Sequence, residues 1–217
     1  MKAMWIIPAL MIAALCGLTA CGQAQEEAGL GGGGTPQGSL DEDGDGKIDN
    51  VPEGVNDLFT PEDLEAFRNA GLAIFTGENP PTAEGNFLTE TLQVTYDDFG
   101  LDLSISPYLF LFSGQTASGL ISVGYEGTTG NISTGNDAYI AGDEACFSIF
   151  ADISGYSVAD ECDYRRPTIY SGCFQDGNIS GFAFGFVIAA TSGDCSETLP
   201  EGHHRIIKEA DGNAVCQ

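Results

Sequence analysis

Short runs in which apolar and polar side chains alternate fill the chain from residue 85 onward, and each run predicts a β-strand. Leu92, Val94 and Tyr96 form one apolar face opposite polar neighbours, and similar runs follow at intervals of about 10–15 residues. Glycine, asparagine, aspartate and proline separate the runs, and no helical pattern interrupts them. The pattern predicts an antiparallel meander of about eight or nine strands.

Closure of this meander would leave no exposed sheet edge, so a small lipocalin-like barrel is the favoured fold and a two-sheet β-sandwich the alternative. Arg205–Lys208 is expected to be a late edge strand. Tyr108–Phe112 is apolar on both faces and is expected to be covered on both sides. Phe182, Phe184 and Phe186 share one strand face and are expected to be ordinary core.

One short helix is predicted before the strands. Thr60 can cap its first turn, Pro61 suits the first helical position, and Gly71 can end it in a left-handed conformation. A helix of about ten residues is too short to be stable alone. Leu64 and Phe67 are therefore expected to dock on the sheet.

The first 20 residues have the pattern of a secretory signal, with Lys2 followed by an apolar run over 4–15. This run is shorter than the roughly 20 residues that a membrane-spanning helix needs. The tetrapeptide Leu18–Cys21 (LTAC) resembles the lipobox of bacterial lipoproteins, in which the cysteine is acylated and becomes the N-terminus. The resemblance implies a cleaved signal peptide and a lipid such as palmitate on Cys21.

The residues after Cys21 indicate how the folded domain would be attached to the membrane. Residues 22–40 include the consecutive glycines Gly31–Gly34 and show no apolar period, which is typical of a flexible tether. Gly22 occupies the position at which Gram-negative lipoproteins retained in the inner membrane commonly have aspartate. The resemblance thus implies an anchor in the outer membrane, with the protein facing the periplasm or the cell surface.

The net charge restricts the partners. Removal of the leader leaves six basic and 32 acidic residues, a net charge of −26. Such a charge argues against nucleic acid and anionic lipid head groups as partners, because both would be repelled. A strongly negative charge suits cations as partners, calcium above all. The alternative is that the acidic residues serve only to keep the protein soluble.

Residues 41–50 (DEDGDGKIDN) carry the clearest chemical pattern. Alternate aspartates with glycine at the sixth place match the spacing of an EF-hand-type loop, but Pro52 stands where the bidentate glutamate belongs. The stretch therefore resembles a single thrombospondin type 3 or dockerin calcium repeat, and a solvated acidic linker is the alternative. We expect a weak, structural Ca²⁺ site that stiffens the junction between tether and domain. Its candidate ligands are Asp41, Asp43, Asp45, the carbonyl of Lys47, Asp49 and Glu53.

Five cysteines lie beyond Cys21, all in the C-terminal third of the chain. An exported protein meets an oxidising compartment, so disulfides are expected. Because the number is odd, at most two bridges are expected among them, with one thiol unpaired and the pairing open. No pair has the spacing of a zinc site. The candidates are Cys146, Cys162, Cys173, Cys195 and Cys216.

Several short segments resemble a β-rich domain of uncharacterised envelope lipoproteins. The likeness covers about residues 79–212, and the extra cysteines are a departure from it. That family has no assigned activity, so the resemblance implies fold and location only. The segments are 79–87 (NPPTAEGNF), 171–172 leading to 177–179, and 200–202 leading to 205–206 and 211–212.

No motif of catalysis is recognisable: a nucleophile elbow, a phosphate-binding glycine loop and an H-E-x-x-H zinc motif are all missing. His203 and His204 are adjacent, so on a strand they would point to opposite faces and could not share a metal. They are expected to be surface residues.

These observations predict a non-catalytic, membrane-anchored lipoprotein with a calcium-stabilised stalk and a β domain that has a binding or structural role. The alternative is a lipocalin-like carrier of a small apolar ligand. The protein or small-molecule partner stays open. The predicted plan is a signal peptide over 1–20, a lipidated tether over 21–40, an acidic loop over 41–57, a short helix and linker over 58–78, and a β-rich domain over 79–217.

Overall fold

The computed structural model describes residues 39–127, 132–157, 162–192 and 200–217. The predicted signal peptide, Cys21, the tether as far as residue 38, and Cys195 lie outside these ranges. A short 3₁₀ helix, Glu53–Asp57, and one α-helix, α1 (Pro61–Asn69), precede the strands. The strands are β1 (Gly85–Leu88), β2 (Leu92–Asp97), β3 (Ser104–Ile105), β4 (Tyr108–Ser113), β5 (Leu120–Gly127), β6 (Ile132–Asp143), β7 (Cys146–Ser157), β8 (Cys162–Gln175), β9 (Asn178–Val187), β10 (Ala190–Ser192), β11 (His204–Glu209) and β12 (Asn213–Cys216).

Eight antiparallel strands close into a barrel. Strands β4 to β9 follow one another as a meander, and β12 and β1 complete the ring between β9 and β4. The predicted closed antiparallel barrel is confirmed, and the two-sheet sandwich is not formed. Strand β10 pairs with Asp163–Arg165, near the N-terminal end of β8, and forms a short extension of the sheet there.

Two strands, β12 and β11, pair with different parts of the same edge of β9. Ile179 and Ser180 of β9 pair with β12, whereas 183–187 pair with β11. Strand β11 in turn pairs with β2, and β2 pairs with β3. Strand β11 therefore has neighbours on both sides, and the prediction of an edge strand at Arg205–Lys208 is wrong. The two ends of the barrel are completed by different strands.

Two other predicted strand faces differ from the structure. Strand β4 buries Phe110 and Phe112, but Leu111 on its opposite face is 37% exposed, so this strand is covered on one side only. In the ladder between β11 and β2, Ile206 pairs with Tyr96 and the next residue with Val94, which leaves an extra residue on β2. This bulge reverses the alternation, so that Tyr96 is exposed.

Aromatic side chains fill most of the barrel interior. Phe182, Phe184 and Phe186 are buried there, as predicted for core residues. Several of the rings pack edge to face, and the centroids of Phe110 and Phe182 lie 4.9 Å apart. Large buried rings on strands β1, β4, β7, β8 and β9 therefore hold the two sides of the barrel together.

A second core lies on the outside of the barrel. Helix α1 buries Leu64 and Phe67 there, which confirms the predicted docking. Gly185 of β9 makes the close approach possible, because a Cβ atom at that position would lie 3.0 Å from side-chain atoms of both Phe67 and Leu72. The helix is thus packed against a strand that lines the barrel.

The ends of α1 are those that the sequence predicts. The Thr60 side chain accepts a hydrogen bond from the amide of Asp63, and the Asp63 carboxylate accepts one from the amide of Thr60. Gly71 has a φ of +95° just beyond the last turn. Within the described ranges, no helix combines the length and the apolar character needed to cross a membrane.

A disulfide joins Cys146 and Cys173 on the paired strands β7 and β8. Cys162 and Cys216 are also disulfide-bonded. None of the four described cysteines carries a free thiol, in keeping with an oxidising compartment.

Candidate functional site

The barrel interior contains a cavity of about 160 Å³ at the end distant from the Cys146–Cys173 disulfide. A cavity of about 150 Å³ is large enough to hold benzene. Two arginines, Arg166 of β8 and Arg205 of β11, reach its wall. The rest of the wall is largely aromatic and includes Tyr108, Phe110, Tyr125, Tyr170, Phe184 and Phe186.

Arg166 is held by aromatic groups. Its Nη2 donates a hydrogen bond of 2.8 Å to the hydroxyl of Tyr125. The centre of its guanidinium lies 4.5 Å from the ring centroid of Phe186 and 4.9 Å from that of Tyr164. Within the described residues, no carboxylate forms an ion pair with Arg166, and its Nε atom is buried without a hydrogen-bond partner.

Arg166 carries its charge without a neutralising carboxylate among the described residues. Removing an ion from water has an effective cost of several kcal/mol in proteins. A cation–π contact returns about 0.5–2 kcal/mol, and a hydrogen bond to a charged group returns about 1.5–3 kcal/mol. Burial lowers the pKa of Arg166, but the phenolic groups of Tyr125 and Tyr164 outweigh it, and the net pKa lies above its ordinary value. The group therefore stays cationic.

Arg205, in contrast, is neutralised by a buried carboxylate. Its Nε donates a 2.7 Å hydrogen bond to Oδ2 of Asp97, and Nε2 of His203 lies 2.9 Å from the same oxygen. Burial alone would raise the pKa of Asp97, but hydrogen bonds from Arg205, the amide of Phe99 and His203 hold it below its ordinary value. The pair contributes no net charge to the cavity.

The expectation that His203 is a surface residue is wrong, because its side chain is only 2% exposed. Its ring lies under Phe99, with the ring centroids 4.7 Å apart, and is hydrogen-bonded to Asp97. His204 is less buried and lies 3.4 Å from a carboxylate oxygen of Asp98. As predicted from their adjacency, the two rings do not converge on one point.

Sequence reasoning did not identify Arg166 as a functional residue. A signal was present, since Tyr164, Arg166 and Tyr170 fall at even spacing and would therefore share a face of any strand that spans them. Thr168 falls on the same face, and a cation between tyrosines is unusual in a chain with only seven basic residues. What the sequence lacks is the information that this face lines the barrel interior.

The acidic loop brings together three of its predicted ligands. Carboxylate oxygens of Asp41, Asp43 and Asp49 lie within 4.8 Å of one another. Asp45 is not part of this cluster and instead accepts a 2.8 Å hydrogen bond from the amide of Lys47. Glu53, the remaining carboxylate of the predicted set, is exposed in the 3₁₀ helix.

Backbone amides pre-form this loop. Oδ1 of Asp41 accepts hydrogen bonds from the amides of Gly44 and Asp45, at 2.8 and 3.1 Å, and Oδ2 accepts one from Gly46 at 3.0 Å. Leu40 and Ile48, at the two sides of the loop, are buried in the outer core. The loop is therefore fastened to the barrel surface.

A larger groove of about 440 Å³ lies on the outside of the barrel, between the segments 51–52, 77–80 and 115–119. Its lining is made mostly of turn backbone and neutral polar side chains, with Glu78 as its only charged residue among those described. It has no unpaired cation and no wall of apolar rings. The groove thus gives no chemical indication of a ligand.

Comparison of the chain with protein-family models, with curated proteins and with solved structures found no match. The functional inference therefore rests on the geometry of the barrel cavity and of the acidic loop.

Proposed function

We propose that this protein is a non-catalytic, lipid-anchored binding protein of the cell envelope, whose barrel holds a small molecule in the Arg166 cavity. The observation that carries the proposal is a cationic group in an otherwise aromatic cavity. Small-molecule sites combine apolar walls with a few polar groups that fix the orientation of the ligand. An eight-stranded barrel can be filled by its own side chains or can hold one small ligand, and here a cavity of about 160 Å³ is left among the rings.

The dimensions restrict the ligand. About 160 Å³ is less than the roughly 300 Å³ at which typical ligand pockets begin. The cavity therefore holds a molecule of about the size of benzene, or one end of a larger molecule. Arg166 and Tyr125 offer hydrogen-bond donors but no nucleophile, so binding suits the site better than covalent chemistry.

The anchor in the proposal is the lipid on Cys21, with residues 22–40 as the tether. Its support is the lipobox-like tetrapeptide Leu18–Cys21 and the glycine-rich stretch that follows. The Cys146–Cys173 disulfide is consistent with an exported protein, because such bonds persist in oxidising compartments. Attachment to the outer membrane follows from Gly22 only by resemblance.

Calcium at the acidic loop completes the proposal. Three carboxylates within 4.8 Å repel one another unless a cation neutralises them, and oxygen ligands are those that Ca²⁺ prefers. The expected role is structural, since the loop carries Leu40 and Ile48 into the outer core. Ca²⁺ would therefore stabilise the junction between tether and barrel.

Binding can be tested with phenol, a neutral probe of benzene size, and the full-chain Cys21→Ser variant. Saturation-transfer NMR should detect phenol bound to this protein. Ile207 lines the cavity, so adding Ile207→Phe should fill it and abolish the signal. Val215→Phe, at an exposed position on β12, is the matched control and should leave the signal unchanged. Absence of binding, or equal binding by the filled variant, would contradict the proposal.

A further inference from the structure

The charge in the cavity indicates the chemical class of its ligand. We infer that the Arg166 site binds a monoanion, a carboxylate attached to a compact apolar body, and this inference rests on the proposed binding function. The carboxylate would lie against the guanidinium of Arg166 and the apolar body among the aromatic rings.

The first support is that no acidic residue in the described part of the chain pairs with Arg166. The other arginines each form an ion pair: Arg68 with Glu65, Arg165 with Asp152 and Arg205 with Asp97. The chain has 32 acidic residues, so a carboxylate for Arg166 would have been available in abundance. None of the described acids pairs with it, which leaves the position of a counter-ion open to a ligand.

The hydrogen-bonding capacity of Arg166 is the second support. A guanidinium has five N–H donors, and the bond to Tyr125 uses one of them. Its Nε is without a partner among the described residues. The planar fork of donors matches the two oxygens of a carboxylate, which accepts two parallel hydrogen bonds. Arg166 also keeps partial exposure, so the charged end of the site is accessible.

The charge balance of the cavity sets the ligand charge at one. Arg205 is neutralised by Asp97. The tyrosines of the wall are neutral near pH 7, because a phenol has a pKa of about 10, and burial raises the pKa of Tyr170 further. Arg166 alone therefore contributes charge to the cavity. One negative charge on the ligand would balance it, and a second would remain buried without a partner.

The rings around Arg166 determine the rest of the molecule. The centroid of the Phe186 ring lies 4.5 Å from the guanidinium centre of Arg166 and 5.9 Å from that of Arg205. Phe110, Phe184 and Tyr170 form the apolar wall beyond it. A flat ring or a short branched alkyl group suits this space, whereas an inorganic anion would leave the wall without contacts.

Titration calorimetry with the Cys21→Ser protein can test this inference with four probes: benzoate, benzyl alcohol, hexanoate and inorganic phosphate. Benzoate should bind about 10- to 100-fold more tightly than benzyl alcohol, the range expected for a hydrogen bond to a charged group. Hexanoate shows whether a flexible chain replaces the ring. Phosphate has no apolar body and should bind more weakly than benzoate.

Variants assign the preference to one residue. Arg166→Met should remove the preference for benzoate over benzyl alcohol, and Arg166→Lys should retain part of it. Arg165→Met is the matched control, because Arg165 is the neighbouring arginine on β8 and pairs with Asp152 at the surface. This control removes the same charge from the protein and should leave the preference unchanged. Circular dichroism confirms that each variant is folded.

The outcomes separate the inference from the function on which it rests. Equal binding of benzoate and benzyl alcohol by the Cys21→Ser protein would overturn the inference and leave small-molecule binding in place, and this result needs no Arg166 variant. Phosphate binding as tight as that of benzoate would overturn the apolar portion of the inference. If neither benzoate, benzyl alcohol nor hexanoate bound, the proposed function itself would fail.

Discussion

Nε2 of His203 lies 2.9 Å from Oδ2 of Asp97, across 106 residues of sequence. Arg205 donates to the same oxygen, so one carboxylate links β2, β11 and the segment that leads into β11. The Asp97 side chain is fully buried. Because this cluster borders the cavity, its ionisation affects both stability and the orientation of Arg205.

The stability of the protein should fall in acid because of Asp97. Its pKa in the folded protein is below the ordinary value of 3.8. The stabilisation is therefore complete above about pH 4 and is lost as the pH falls through the folded-state pKa. Urea unfolding should show this decline, and Asp97→Asn should flatten it while costing on the order of 3 kcal/mol at neutral pH. Asp102→Asn, at an exposed position, is the control. Parallel pH profiles for Asp97→Asn and the unmodified protein would refute the assignment.

Gly185→Ala should loosen the packing of α1 on the barrel. The added Cβ would lie 3.0 Å from atoms of Phe67 and Leu72, so one of the elements must shift. Overpacking of this kind costs about 1–3 kcal/mol. Thermal unfolding should show the loss, whereas Ser180→Ala on the same strand should be nearly neutral. An unchanged melting temperature for Gly185→Ala would show that the helix docks less tightly than the contacts indicate.

Cys21→Ser should move the protein from membrane to soluble fractions of cells, because it removes the residue that carries the proposed lipid. Cys16→Ser should leave it in the membrane fraction. Peptide mapping without reduction provides a second measurement, since acylation occupies the Cys21 thiol. A disulfide from Cys162 or Cys216 to Cys21 in the mature protein would contradict the lipid anchor, as would continued membrane association of Cys21→Ser.

Calcium should raise the thermal stability of the protein. For a dissociation constant of about 10⁻⁴–10⁻³ M, about 10 mM Ca²⁺ adds roughly 1–3 kcal/mol to the free energy of unfolding. Asp43→Asn should abolish this gain. Asp43 suits the test better than Asp41, whose carboxylate also accepts three loop amides. Glu42→Gln lies outside the carboxylate cluster and is the control. A gain that persists in Asp43→Asn would place the calcium elsewhere.

The alternating pattern predicted an antiparallel meander and favoured a barrel over a two-sheet sandwich, because closure leaves no exposed sheet edge. The capping residues likewise predicted α1 with its docking side chains Leu64 and Phe67. Which face of β8 turns inward depends on the closure of the whole ring, and so the position of Arg166 could not be read from its neighbours. The burial of His203 depends on Asp97, a partner that adjacent residues do not specify.

The β-bulge in β2, opposite Ile206, could not be predicted from the sequence either. One unpaired residue in β2 reverses the alternation between Val94 and Asp97, so that Tyr96 is exposed and the carboxylate of Asp97 is the buried partner of Arg205. A pattern with a period of two cannot show such a shift in advance, because a single extra residue reverses every later side chain.

The divided edge of β9 has a consequence for how the barrel opens. The hydrogen bonds between β9 and β11 can break while β9 stays paired with β12 and β8. This is because β12 pairs with other residues of the same edge of β9, and β8 pairs with the opposite edge. Thermal fluctuations can therefore open one rim of the barrel without unzipping the ring, and the disulfide between β7 and β8 restrains the far rim. Exchange between the aromatic interior and bulk water is thus separated from global unfolding.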